Sequence, residues 1–421
     1  MSNFDTIVVG AGIEGSATAC ALAKNGQRVL LLEQFPLPHT RGMSNGTTRL
    51  FHHISPYQVY TDIRNASMKH WRELEARCGQ KLFTQTGFMW TGEKRLGRVR
   101  GMYEHMRKNQ ITCEMWSAAE LTRRFPQLKC LYADDNYETL YDPSAGLLAA
   151  NKCLLALQSE FQKLGGVLQD GEQVLSIHPS PNQVMIRTNK QQQQQQHATT
   201  VKQRVDEYGM QREQRQSSYN RAYSANNVVL CLGAWAGQFA QQHLGLDLRL
   251  QPQMVKLCFW KTHTDAYNID KGFPCMYTTD KDGRKYFGAP VGEYPGLFKM
   301  YERNGVPTEP DSRDTVSSAD QYTLIERAER HIGTCMSGLD PKPAVVETCM
   351  YMVSESDLPF IDRHPLHSNV IIGAGFSGHG FKWAPVAGEI MADLVMRKRP
   401  KYDMDMFRIK PDNIMRPQSK L

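Results

Sequence analysis

The sequence predicts an α/β fold organised around a discontinuous, Rossmann-like dinucleotide-binding domain. Three observations predict it. The N-terminus reads as a β-α-β unit with glycines at its first turn, and two more short apolar runs far along the chain are each followed by a glycine-rich turn. The third is size: 421 residues, 41% hydrophobic and 22% charged, suffice for two domains with sizeable cores.

The first strand is the β-branched run Asp5-Thr6-Ile7-Val8-Val9, continuous enough for a strand buried on both faces. Gly10-Ala11-Gly12-Ile13-Glu14-Gly15 follows at once. The first glycine permits the tight turn, the second lets backbone approach a pyrophosphate, and the third allows close contact between helix and strand. A helix over 16–24 ends at Asn25-Gly26, and a second strand over 28–32 ends at Glu33. Glu33 stands eighteen residues past Gly15, close to the spacing of an acidic acceptor for a ribose hydroxyl. The runs 226–232 and 369–372 read as further strands. The first leads into Gly233-Ala234-Trp235-Ala236-Gly237, the second into Gly373-Ala374-Gly375 and a helix over about 383–397. Residues 188–224 contain the glutamine run 191–196 and few aliphatic side chains, which predicts a flexible insertion between two strands.

The formal net charge of +7 raises the question of nucleic acid, and its distribution answers it. Residues 190–221 carry six Lys or Arg against three acids, and 397–421 carry eight against three, so the rest of the chain is close to neutral. A nucleic-acid binder concentrates its basic residues on a folded face, and no such partner is expected. No apolar run is long enough to span a membrane, and the first residues lack the basic start of an export signal. The expectation is an intracellular protein with its ten cysteines reduced. None of them forms a C-x-x-C pair, so no metal site is predicted.

Four further segments carry a resemblance: His39-Thr40-Arg41-Gly42-Met43-Ser44-Asn45-Gly46-Thr47-Thr48-Arg49, Glu347-Thr348-Cys349-Met350-Tyr351, Phe360-Ile361-Asp362-Arg363-His364-Pro365, and Gly373-Ala374-Gly375-Phe376-Ser377-Gly378-His379-Gly380-Phe381-Lys382. Together with the glycine fingerprint they resemble the monomeric sarcosine oxidase family, most of all its peroxisomal sarcosine- and L-pipecolate-oxidising members. The likeness runs from about residue 4 to 408. It implies a glutathione-reductase-type FAD domain over 1–85, 145–232 and 356–410. A mixed-sheet α+β substrate domain over 86–144 and 233–355 would follow, as in the D-amino-acid oxidase-like flavoenzymes, with a tail over 411–421.

The same resemblance implies roles. FAD would be tethered through a thioether to Cys349; Cys275, in a second Cys-Met-Tyr run, lacks the downstream motifs and reads as a buried thiol. Gly10, Gly12, Ile13, Glu14, Gly15, Glu33, Gln34, Arg41, Ser44, Thr48, Val174, Gly233, Trp235, Gly375, Phe376, Gly378, His379, Gly380, Phe381 and Lys382 would line the cofactor. Lys382 matches a carboxylate-binding lysine, Arg49 a cation beside the flavin, Tyr351 a wall of the substrate cage, and Lys299 an oxygen-activating lysine.

The sequence departs from the family at the substrate pocket. His52 stands where a second carboxylate-binding arginine is usual, Phe287 where tyrosine is common, and Glu302 or Arg303 where a histidine follows the lysine. Ser44-Asn45 precedes Gly46 where relatives tend to carry a histidine. A protonated His52 would be a weaker anchor than arginine at neutral pH.

The reading is an FAD oxidase that acts as a monomer on a small secondary amino acid and O2. Sarcosine and L-pipecolate are the leading substrates, L-proline a further one. The terminal Ser419-Lys420-Leu421 reads as an address for the peroxisomal import receptor. Two alternatives stay open: a covalent-FAD oxidase of another N-alkylated or glycated amino acid, and a flavin-binding protein with impaired catalysis.

Overall fold

The computed structural model describes residues 4–191, 218–290, 294–315 and 317–415. Three sheets organise them, of eight, nine and three strands.

The eight-stranded sheet has a parallel centre. β1 (Phe4–Val9) pairs in parallel with β2 (Val29–Leu32) on one side and with the last part of Ser218–Leu230 on the other. Beyond them lie Val167–Gln169 and Val370–Ala374, also parallel. Side chains alternate between two cores, as period-two geometry requires. Ile7, Leu30, Val228 and Val370 face one core, while Val8, Leu31, Val229 and Ile371 face the other.

The second of these cores is roofed by α1 (Ile13–Lys24) and the Gly380–Val395 helix. Small residues let them touch: a Cβ on Gly388 would sit 2.7 Å from the backbone carbon of Ala17. Both helices begin earlier than the glycine-rich sequence suggests. Their first turns combine glycines and polar residues with Ile13 and Phe381, which pack into a core beside the cavity.

Strand pairing also reaches into the segment read as a flexible insertion. Val184–Gln191 and Ser218–Leu230 form an antiparallel ladder that runs to the pair Gln191↔Ser218. Inward Ile186 and Thr188 are fully buried, and Thr188 donates to Glu172 at 2.7 Å. That polar pairing keeps a strand inside a composition that looked unstructured. The stretch 192–217 lies outside the described residues.

The nine-stranded sheet gathers segments between Phe88 and Ser354 and is antiparallel except where Cys275–Thr279 runs beside Phe88–Glu93. One face packs aromatic residues, among them Trp260, Tyr286 and Phe298, against the Ser318–Cys335 helix. The opposite face looks toward the glycine-rich turns. The small third sheet, Thr48–Phe51, Gly146–Ala149 and Phe83–Gln85, carries Arg49. Among the described residues no helix is long and apolar enough to cross a membrane.

Candidate active site

Val9, Leu32, Leu230 and Ala374 end at one edge of the parallel sheet, and the turns that follow open into a cavity of about 810 Å3. This is the crevice in which doubly wound folds bind nucleotides, and its volume is that of a cofactor site. Gly10 has φ +97°, and a Cβ there would lie 2.3 Å from the Cys231 carbonyl oxygen. A Cβ on Gly15 would lie 1.9 Å from the Gly10 oxygen, so Gly15 works beneath the turn and not on the cavity wall. Glu33 accepts from the Ala11 amide at 2.9 Å and from Phe35 at 3.1 Å, which fixes the glycine turn against the end of β2. Ser44 accepts from the Ile13 amide at 2.9 Å, satisfying one open donor of the first turn of α1.

Gly10, Gly12, Ile13, Glu14, Glu33, Gln34, Ser44, Val174, Gly233, Trp235, Gly375, Phe376, Gly378, Gly380 and Phe381 line this cavity, as do Arg49 and Tyr351. Gly15, Arg41, Thr48, Cys349, His379, Lys382, His52 and Lys299 are not among its lining. Arg41 turns away to pair with Asp314. Asn45, Met43, Gln158, Met350 and Ser377 also line it, and the fingerprint alone gives no signal for them.

Burial holds the Glu14 carboxyl at about 7, with Arg49 pulling the other way. The Arg49 guanidinium donates to the carbonyls of Met43, of Thr48 at 2.7 Å and of Asn45 at 2.9 Å, while its buried Nε has no hydrogen-bond partner among the described residues. A cation held by three carbonyls, with a donor to spare at the cavity, suits a flavin ring that gains negative charge. The glycine cradle and this open donor make the residues present a fit for FAD.

Strand register sets the reactive face. Phe259 pairs with Lys299, Val255 with Cys349 and Gln253 with Tyr351, and these partners alternate along one strand, so all three side chains share one side of the nine-stranded sheet. Cys349 is buried with its sulfur 3.0 Å from that of Met43, and flanks the cavity residues Met350 and Tyr351. Lys299 is 5% exposed, with Nζ 5.4 Å from the Phe259 ring centre. Cys275 lies in a different strand, fully buried, its thiol pushed up to about 12 by burial.

The same alternation separates Glu302 from Arg303. Glu302 points away and pairs with Arg327 at 3.3 Å. Arg303 shares the face of Lys299, donating to the Ser377 carbonyl at 2.8 Å and the Tyr277 hydroxyl at 3.3 Å. Tyr351 in turn donates to the Arg303 carbonyl at 3.0 Å.

Lys382, at the start of the Gly380–Val395 helix, sits 3.3 Å from His52, and both are buried. Burial, Arg64 and Arg303 hold the Lys382 ammonium well below its ordinary range. Burial and then Lys382, Arg64 and His379 do the same to His52, which is therefore a neutral ring at neutral pH, 4.9 Å from the Phe88 ring. His52 thus meets the predicted lysine without supplying the positive charge that the sequence reading considered. His379 is held neutral likewise and stacks on Trp383 at 5.2 Å. Arg64 and Tyr277 join this cluster without any sequence signal.

The family described as FAD dependent oxidoreductase (DAO) matches residues 5–394. Peroxisomal sarcosine oxidase of Homo sapiens is 33% identical over 407 residues, covering 96% of this chain and 95% of that protein. Monomeric sarcosine oxidase of Bacillus sp. (strain B-0618) is 29% identical, covering 97% and 96%. Among solved structures, NikD, an unusual amino acid oxidase essential for nikkomycin biosynthesis, superposes with a TM-score of 0.76 at 21% identity, over 97% of this chain and 98% of that one.

Proposed function

The chain belongs to the FAD dependent oxidoreductase family, and on that premise we propose that it is an FAD-dependent oxidase of secondary amino acids, with sarcosine and L-pipecolate as leading substrates and L-proline as a further one. One observation carries the reading: Cys349, Tyr351 and Lys299 share one sheet face beside a glycine-lined cavity that also holds Arg49.

Bound FAD supplies a two-electron acceptor for the C–H bond next to the amine, and dioxygen then takes those electrons to give hydrogen peroxide. Gly10 and Gly12, with the first turn of α1, receive the pyrophosphate, and Glu33 stands at the ribose end. Cys349 would be the residue that holds the flavin through a thioether. Arg49 opposes negative charge on the ring, Lys382 holds the substrate carboxylate, and Tyr351 walls the amine-bearing carbon. Lys299 stabilises the negative charge that oxygen acquires. On this reading 1–85, 145–232 and 356–410 form the cofactor domain, and 86–144 with 233–355 the substrate domain. The protein acts as a monomer. Ser419-Lys420-Leu421, outside the described residues, brings it to the peroxisome through the import receptor. Human and mouse relatives named as peroxisomal support that address.

Acid-denatured protein is expected to retain flavin absorbance and a mass raised by one FAD. Anaerobic sarcosine, L-pipecolate or L-proline is expected to bleach the native protein, and air to restore its colour with release of peroxide. Flavin that separates freely rejects the Cys349 link; a colour that none of the three substrates bleaches rejects the oxidase.

A further inference from the structure

A carboxylate bound at Lys382 needs a second positive partner, and the neutral ring of His52 does not provide it. We propose that Arg303 is that partner: it grips the substrate carboxylate from the wall of the nine-stranded sheet while Lys382 holds it from the helix start. The inference rests on the amino-acid oxidase reading and names the group that selects its acidic end.

Four observations carry it. Strand alternation from Lys299 brings Arg303, and not Glu302, to the reactive face. Its guanidinium is set in place by neutral acceptors, the Ser377 carbonyl and the Tyr277 hydroxyl, while Tyr351 fixes its backbone. The glycine-rich turn makes room for it, since a Cβ on Gly378 would lie 2.7 Å from its Nη2. Finally, no carboxylate among the described residues pairs with Arg303 or with Lys382, and Gly378, which meets Arg303, lies only four residues before Lys382. A half-buried guanidinium and a buried lysine that have no acid partner both favour the entry of an anion. A carboxylate answers both, and the planar fork of arginine matches its two oxygens. The ligand class is therefore a monocarboxylic amino acid whose acid group is shared between Arg303, beside Tyr277, and Lys382, beside His52.

The test uses FAD-loaded protein and pyrrole-2-carboxylate, a planar acid that cannot be dehydrogenated at a saturated carbon, with pyrrole-2-carboxamide as its uncharged counterpart. Dissociation constants are read by calorimetry and by the change in flavin absorbance. Arg303→Met is expected to weaken the acid by at least about 30-fold, the loss of one charge-assisted pair, and to leave the amide within about twofold. Arg303→Lys is expected to recover part of the loss, and His52→Arg added to Arg303→Met to recover most of it by returning a guanidinium to Lys382. If Arg303→Met does not fold, Arg303→Gln replaces it under the same thresholds. A change in acid affinity below about threefold, or equal weakening of acid and amide, overturns the proposal. Wild-type protein that no secondary amino acid reduces, yet whose acid binding still depends on Arg303, would reject the oxidase reading and keep the anchor. Oxidation of sarcosine or L-pipecolate with KM unchanged in Arg303→Met would do the reverse.

Discussion

Arg64 is a guanidinium only 1% exposed, with Nε and Nη1 lacking any hydrogen-bond partner among the described residues. Its acidic neighbour, Asp142, is already committed to the His53 amide at 2.7 Å and to Ser144, whose hydroxyl lies at 2.6 Å. Burial therefore lowers Arg64 to about 9, with Asp142 only partly opposing it. The linkage has a definite sign. Below pH 9 the folded chain must carry a charge that the unfolded chain carries more cheaply in water, so Arg64 weakens the fold there. Between 9 and its ordinary value the folded protein has shed that proton, and the penalty fades. Arg64→Met is expected to stabilise the protein by roughly 1–4 kcal/mol at neutral pH, as when buried charges yield to apolar groups of similar size. The gain is expected to shrink above pH 9, and chemical denaturation at pH 7 and pH 10 measures both. A variant less stable than wild type at pH 7 would mean that Arg64 has a compensating partner. The same substitution removes one of the cations that depress Lys382 and His52.

At the level of elements, the contact of α1 with the Gly380–Val395 helix sets the site, because one helix opens on the nucleotide cavity and the other presents Lys382. Gly388 lies where this contact is tightest, and backbone there cannot yield as a flexible side chain would. Gly388→Ala is expected to cost about 1–3 kcal/mol through overpacking and to raise KM for the amino acid by shifting Lys382. Gly101→Ala makes the control: its Cβ meets nothing within 4 Å, and the Arg98–Lys108 helix should gain about 0.5–1 kcal/mol. Equal midpoints for the two variants in thermal denaturation would remove the packing argument. These elements also show what could be read in advance. β1, its glycine turn and β2 are local in sequence, so their spacing exposed the fold and a dinucleotide site. Lys299 lies on the strand Leu297–Glu302 and Arg303 directly follows it, so their shared face appears only once that strand is placed. Arg64 was not readable, because its helix, Gln58–Cys78, is rich in charge and becomes buried there only by packing on a helix three hundred residues away. Gly378 was readable as a cavity residue, but its close approach to Arg303, which belongs to another sheet, was not.

For the whole molecule, the decisive feature is that one long strand joins two jobs. Residues 225–230 of Ser218–Leu230 complete the parallel centre beside β1, while 218–225 continue outward as a ladder with Val184–Gln191. That ladder supports Glu172–Pro179, whose first residues, Glu172 to Leu175, form a wall of the cofactor cavity. The wall is held from within the described residues: Thr188 bonds Glu172, and Lys190 pairs opposite it in register. The ladder closes at the pair Gln191↔Ser218, so the described strands brace this wall as far as the described residues run. Replacing 192–217 with a two-residue Asn-Gly turn should convert the pair into a tight hairpin. Loop closure costs less when the loop is short, by about 0.6 kcal/mol per halving, so the gain should be roughly 2 kcal/mol. Bound FAD per chain and turnover of the amino acid are expected to stay unchanged, read from the flavin-to-protein absorbance ratio and from peroxide release. A drop in flavin content without loss of folded protein would show that the connection itself contributes to the cofactor wall, and that the ladder is not sufficient to hold it.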